Sequence, residues 1–108
     1  MSFFIFLELK HTLYNSIGIQ RSPDENDKMI KFSQINSLTQ MSVHKGCYCG
    51  FILSFSSTDK KTLVETEDTY FINIKDFNRF LVDSEKKSIN KTDVVLYNGI
   101  RLEQEKKE

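Results

Sequence analysis

The chain has no tryptophan, one proline, four glycines and two cysteines among its 108 residues. Each shortage excludes something. So little proline and glycine leaves no room for a flexible linker, and no internal repeat or low-complexity stretch is present. Two cysteines cannot staple a disulfide-dense secreted scaffold. Cys47 and Cys49 form a lone Cys-x-Cys whose side chains, one pleat repeat apart on a strand, are too distant for an unstrained disulfide. Zinc would need two further ligands, and His11 and His44 stand at no recognisable spacing. The pair is expected to pack as two small residues on a strand. Charge of one sign is missing too, since fifteen basic residues balance fifteen acidic ones. No strongly basic footprint marks a nucleic-acid binder, although a phosphate-binding face can sit on a neutral protein. The opening run Phe3-Phe4-Ile5-Phe6-Leu7 is only five residues, has no positive charge before it and is followed at once by Glu8 and Lys10. It is neither a signal peptide nor a membrane span. These features predict a soluble, cytoplasmic protein with no membrane partner. They also predict one domain over residues 1–103 and a frayed charged tail over 104–108.

What is present is an alternation of strand and helix patterns. Phe3 to Leu9 is short, aromatic and β-branched. Its continuous apolar character predicts a central strand covered on both faces. Ser16 to Gln20 is a candidate short strand. Ser22-Pro23-Asp24-Glu25 has a capping serine, a proline suited to the first helical position and a carboxylate at capping-box spacing. That signature, or an alternative cap at Asn26, predicts a helix running to about His44 and stopping at Lys45-Gly46. On it Ile30, Ile35, Leu38 and Met41 share one arc, and Gln34 falls inside that arc. Tyr48 to Phe55 and Thr69 to Ile74 read as strands, with Ser56 to Asp68 as the loop or hairpin turn between them. Phe77, Phe80 and Leu81 give Lys75 to Asp83 a helical spacing. Ser84 to Lys91 reads as a basic loop, Thr92 to Tyr97 as a last helical turn and Ile100 to Glu103 as a short edge strand. The order β, α, β, β, α is that of an α/β (α+β) domain with a central mixed β-sheet flanked by helices.

Residues two apart on a strand share a face, so Phe4, Phe6, Glu8 and Lys10 project together, with the polar pair at the strand's C-terminal end. A carboxylate there can hold Mg²⁺ or Mn²⁺. Such an ion polarises a phosphate and lowers the pKa of a bound water, and an adjacent ammonium can neutralise charge building on the phosphate. The pair alone is a weak signal, because an acid and a lysine often mark only the wet end of a strand. Gln34 either satisfies backbone groups in the core or reaches this site.

Taken in order, Phe6-Leu7-Glu8-Leu9-Lys10-His11-Thr12, then Ile35 and Leu38 around Gln34, then Gly50-Phe51-Ile52 and Phe55, then Thr69-Tyr70-Phe71-Ile72, then Phe77 and Phe80, the chain resembles the RecU-type Holliday junction resolvases. The resemblance is strongest to short phage-borne members, whose pattern Lys86-Lys87-Ser88-Ile89 and Asn98-Gly99-Ile100 also fit. Those enzymes belong to the PD-(D/E)xK nuclease superfamily, of restriction-endonuclease-like fold. The resemblance implies a metal-dependent endonuclease that cuts branched, four-way DNA in recombination and repair, with Mg²⁺ (or Mn²⁺) as cofactor and a homodimer as the working form. It implies that Glu8 and the carbonyl of Leu9 are metal ligands, that Lys10 is the catalytic lysine and that Gln34 is the glutamine on the helix flanking the site.

The chain departs from that family in one respect. The family's first acidic ligand lies on a strand preceding the Glu-x-Lys strand, and an N-terminal helix carries a further acid. Here seven residues precede Glu8 and none is acidic. The expectation is a fold lacking the first helix and strand, from a fragment, an internal start or a degenerate copy, and a chain of weak or absent activity in isolation. Asp59, Glu65, Asp68 and Asp76 are the acids that could stand in, and each reads by default as an exposed loop acid. Among the basic residues, Lys60-Lys61 and Lys86-Lys87 with Lys91 could meet phosphates, Lys86 and Lys87 being preferred for nucleic-acid binding.

Overall fold

A computed structural model describes residues 3–102. The charged tail expected over 104–108 lies outside the described residues. The chain runs β1 (Phe4–Thr12), β2 (Ser16–Gly18), α1 (Phe32–Ser42), β3 (Cys47–Thr58), β4 (Glu65–Asn73), α2 (Ile74–Asp83), β5 (Ser88–Asn90), α3 (Lys91–Leu96) and β6 (Ile100–Leu102). Four strands form a mixed sheet in the order β1-β3-β4-β6, while β2 and β5 pair separately and antiparallel. The fold is α+β, as the alternation of patterns requires.

β3 is the spine of the sheet. It pairs parallel with β1 from Phe4↔Cys47 to Thr12↔Phe55, and antiparallel with β4 from Gly50↔Asn73 to Thr58↔Glu65. Two antiparallel strands need only a tight turn, but the parallel β1–β3 pair needs the chain to be carried back, and α1 is part of that return. Cys49, Phe51, Leu53 and Phe55 alternate along β3 and all are buried. They meet Ile35 and Leu38 of α1 and Phe77 and Phe80 of α2 in one core. The Phe51 and Phe77 rings lie 4.8 Å apart. Both helices therefore cover the same side of the sheet. The molecule is accordingly thin, 22 Å along its shortest axis.

Three expectations need correction. β1 is an edge strand rather than a central one, and Phe4, Ile5 and Leu9 are 56%, 67% and 72% exposed. Its apolar run signals a strand, but Ile5 and Leu9 lie on the face of the sheet away from α1 and α2 and so stay exposed. The helix does not start near Ser22 either. Ser22 to Glu25 forms a turn, closed by the Glu25 amide donating to the Ser22 carbonyl at 3.2 Å, and α1 begins at Phe32. The competing force is Gln20, which is buried. Its amide group accepts from the Phe32 N–H at 3.0 Å and donates to the Glu25 carbonyl at 2.9 Å, so it holds residues 25–32 as a loop. Ile30 is buried as expected, but in a bridge to Ile19 instead of on the helix. Finally, Ser56–Asp68, read as a loop or hairpin turn, is a hairpin whose strands reach further than expected, with β3 continuing to Thr58 and β4 starting at Glu65. The basic segment Ser84–Lys91 contains β5, tied to the rest by Arg21, which donates to the carbonyls of Leu81, Ser84 and Lys86.

The end of α1 falls close to the expected stop: Gly46 takes a positive φ of 83° a few residues beyond it. At Gly50 the reason for glycine is steric. A Cβ there would lie 2.3 Å from the Ile72 carbonyl oxygen and 2.7 Å from the Phe71 ring, so the ring can lie across β3 only because nothing projects from it.

Candidate functional site

In the parallel ladder Glu8 stands beside Phe51 and Lys10 beside Leu53. Neighbours in register point the same way, so both polar side chains lie on the helix-covered side of the sheet, toward the C-terminal end of β1. Both are half-buried. Among the described residues neither takes part in an ion pair within 4.0 Å. An anion and a cation thus sit two residues apart on one strand without partners of their own. Thr12 closes the row, buried, with its hydroxyl accepting from the Tyr14 N–H at 3.0 Å.

Gln34 lies in the first turn of α1, half-buried, and its side-chain oxygen accepts from the Lys31 N–H at 3.1 Å. Its partner is therefore the helix end. α1 leads back towards the start of β3, so its first turn lies toward the end of the sheet that carries Lys10. Glu8, Lys10 and Gln34 are thus on the same side of the sheet, though among the described residues only the Gln34 side chain has a hydrogen-bond partner.

The acids that might complete a metal site are elsewhere. Asp68 pairs with Phe55 on the sheet and is clamped by Lys91 and Arg101, each at 2.9 Å. The hydrogen bond from Lys91, then the charges of Lys91 and Arg101, hold its carboxyl below the ordinary value of 3.8 against the opposing effect of burial. It is a half-buried structural acid, not an exposed loop one. Asp59 accepts from the Lys61 N–H in the β3–β4 turn, Glu65 is exposed at the start of β4, and Asp76 is in the first turn of α2. Among the described residues no group of three or more His, Cys, Asp or Glu side chains is arranged to hold a metal ion.

The two lysines preferred for nucleic acid are used differently. The Lys86 ammonium lies 2.6 Å from Asp93. Asp93 itself exchanges hydrogen bonds with Asn90 to cap α3. Lys87 is exposed and lies beside Asp24, Glu25, Asn26 and Lys28, a neighbourhood of mixed charge. Cys47 and Cys49 are both free and pack with the core. Burial, and secondarily the neighbouring Cys47, pushes the Cys49 thiol up, which keeps it protonated and unreactive.

One pairing could not have been anticipated from the sequence: His11 Nε2 and Ser56 Oγ lie 2.7 Å apart, 45 residues distant along the chain. They border a shallow groove with Leu13, Ser57, Thr58, Glu65, Thr66 and Glu67. By strand alternation this groove opens on the side of the sheet away from Glu8 and Lys10, and its two carboxylates would repel phosphate. No helix among the described residues is long and apolar enough to cross a membrane. No protein-family model matches this chain, and neither does any curated protein or any solved structure.

Proposed function

We propose that the chain is a Holliday junction resolvase-like endonuclease of restriction-endonuclease-like fold, acting in the cytoplasm on branched DNA in recombination or repair, with Mg²⁺ or Mn²⁺ as cofactor. The observation that carries this reading is the placement of Glu8 and Lys10. They project side by side from one strand of a parallel β1–β3 pair, outside any ion pair, on the side of the helix whose first turn holds Gln34. The RecU-type resemblance of the sequence is its other support.

The donor set suits a hard cation in part. Mg²⁺ keeps most of its waters and takes one or two carboxylates together with substrate phosphates. Glu8 and the Leu9 carbonyl would hold it, and they form a half-site whose remaining ligands must come from the DNA or from a further acid. When bound, the ion polarises the phosphate and supplies a water of lowered pKa. The Lys10 ammonium donates to a non-bridging phosphate oxygen, where negative charge grows most. Gln34 orients a water or phosphate oxygen through its amide nitrogen, since its oxygen is engaged by Lys31. Lys87 contacts the flexible backbone of the junction more readily than Lys86, whose charge is partly spent on Asp93. Two copies acting on one junction would place two such half-sites on opposed strands.

A second reading keeps the fold and the DNA but not the cleavage, and the single carboxylate favours it. Nicking of a synthetic four-way junction in Mg²⁺ separates the two. Metal-dependent nicking should fall about a hundredfold or more in Glu8→Gln. Equal cleavage by both proteins would remove this site from the chemistry, and salt-sensitive binding without metal dependence would select the second reading.

A further inference from the structure

Three of the four tyrosines rest on a phenylalanine ring: Tyr48 on Phe3, Tyr70 on Phe55 and Tyr97 on Phe80, with centroids 5.9, 6.2 and 5.5 Å apart. Tyr14 is the exception. It is 79% exposed, and among the described residues neither its ring nor its hydroxyl has a partner. The ring is nevertheless held in place by its backbone. Residues 13–15 form a bend between Thr12, the last residue of β1, and Ser16, the first of β2. Thr12 is buried, and its hydroxyl accepts from the Tyr14 N–H at 3.0 Å. Ile17 and Ile19 anchor the far side of the bend in the core. A short bend tied at both ends has little backbone entropy left to lose on binding.

The place of this ring points to its visitor. Tyr14 follows Lys10 by four residues, at the same end of the sheet. No acidic residue lies between Lys10 and Asp24, so no carboxylate of this segment repels a phosphate backbone passing over it. We infer that Tyr14 stacks on a base at the branch point of the DNA, and so sets both the preference for a junction and the position of the cut. Inside a continuous duplex both faces of every base pair are covered, and a side chain enters only by unstacking a step. At a branch the last pair of an arm has a face already free, which an aromatic ring covers without that cost. Four residues of extended chain span at most about 14 Å, and successive nucleotides of one strand rise about 3.4 Å. By backbone reach, a phosphate held at Lys10 therefore lies about four nucleotides or fewer from the base under Tyr14. Leu13, exposed as well, borders the groove on the other side of the sheet, where Glu65 and Glu67 turn phosphate away.

This role of Tyr14 rests on the proposed action on branched DNA, and the test keeps the two apart: binding is read in chelator, nicking in Mg²⁺. The wild-type chain should bind an immobile four-way junction more tightly than a linear duplex of equal length, whose phosphates attract it equally. Tyr14→Ala should weaken junction binding about tenfold and leave duplex binding unchanged. Tyr14→Phe keeps the stacking face and should bind as the wild type does, while Leu13→Ala, which removes neighbouring apolar surface, should keep the preference. Circular dichroism shows that each variant is folded. A 5-iodouracil at the branch should photo-cross-link to Tyr14, and the same base in the middle of an arm should not. A wild-type chain without junction preference, a Tyr14→Ala variant that retains it, an equal loss in Leu13→Ala, or a cross-link centred elsewhere would each overturn the inference. Nicking alongside any of these would leave the cleavage reading alone. A Tyr14-dependent preference without nicking would leave the stacking and remove the cleavage.

Discussion

β1 and β3 are hydrogen-bonded to each other over nine residue pairs and are composed alike, each an aromatic and aliphatic run. Yet Phe51 in β3 is fully buried, while Phe4 in β1 is 56% exposed. The difference is the number of neighbours. β3 has β1 on one side, β4 on the other and both α1 and α2 above, whereas β1 has one strand neighbour in the sheet, β3, and slighter cover from α1. Composition tells that a segment is a strand. It does not tell how many strands stand beside it. The same difference separates the two strands: β3 carries the stability, and β1 carries the polar pair and an open edge.

The largest test of this contrast is a pair of truncations followed by urea denaturation. Phe51→Ala removes a ring from the core and should cost about 3–5 kcal/mol, while Phe4→Ala, on the exposed strand, should cost less than about 1 kcal/mol. Comparable losses would mean that β1 is buried after all. Next comes Gly50→Ala. Its new methyl would press on the Ile72 carbonyl and the Phe71 ring, an overpacking expected to cost about 1–3 kcal/mol, and the near-normal stability of such a variant would show that β3 and β4 can spread.

Asp68→Asn probes the far side of the sheet, away from β1. Its two ion pairs are partly exposed, so the loss should be about 1 kcal/mol, with each such pair contributing under that amount. The pH dependence has a definite sign. A carboxyl held below its ordinary value of 3.8 contributes fully above that value and loses its contribution as the pH falls through the depressed native value. Acid titration of stability should therefore show a smaller drop below about pH 4 in the asparagine variant than in the wild type. The smallest effect on stability belongs to Leu9→Ser, within about 0.5 kcal/mol because the side chain is exposed.

Much of the fold was legible in the residues. β3 and β4 are flagged by runs of aromatic and β-branched residues, α2 by Phe77 and Phe80 on one face, and the end of α1 by Gly46. The errors share a cause, which is long-range competition. Ser22-Pro23-Asp24-Glu25 has the chemistry of a helix start, but Gln20 captures both the Glu25 carbonyl and the Phe32 N–H and delays the helix. β5 is three residues in a basic stretch, visible only once Ile89 is set against Ile17. Asp68 read as a loop acid because Lys91 and Arg101 lie 23 and 33 residues away. For the candidate site, strand alternation was enough to place Glu8 and Lys10 on one side. Their lack of ion-pair partners and the engagement of Gln34 with Lys31 are properties of the folded chain.

On the proposed reading, Glu8 and Lys10 mark the place where a divalent cation meets this protein. Titrating the isotope-labelled chain with Mn²⁺ and recording amide resonances tests it directly, because a paramagnetic ion broadens signals only near its site. Broadening should centre on residues 7–10 and on Phe51 to Leu53 beside them in register, and it should vanish in Glu8→Gln. Broadening centred on Asp68 or Glu65, or unchanged in the glutamine variant, would contradict the account.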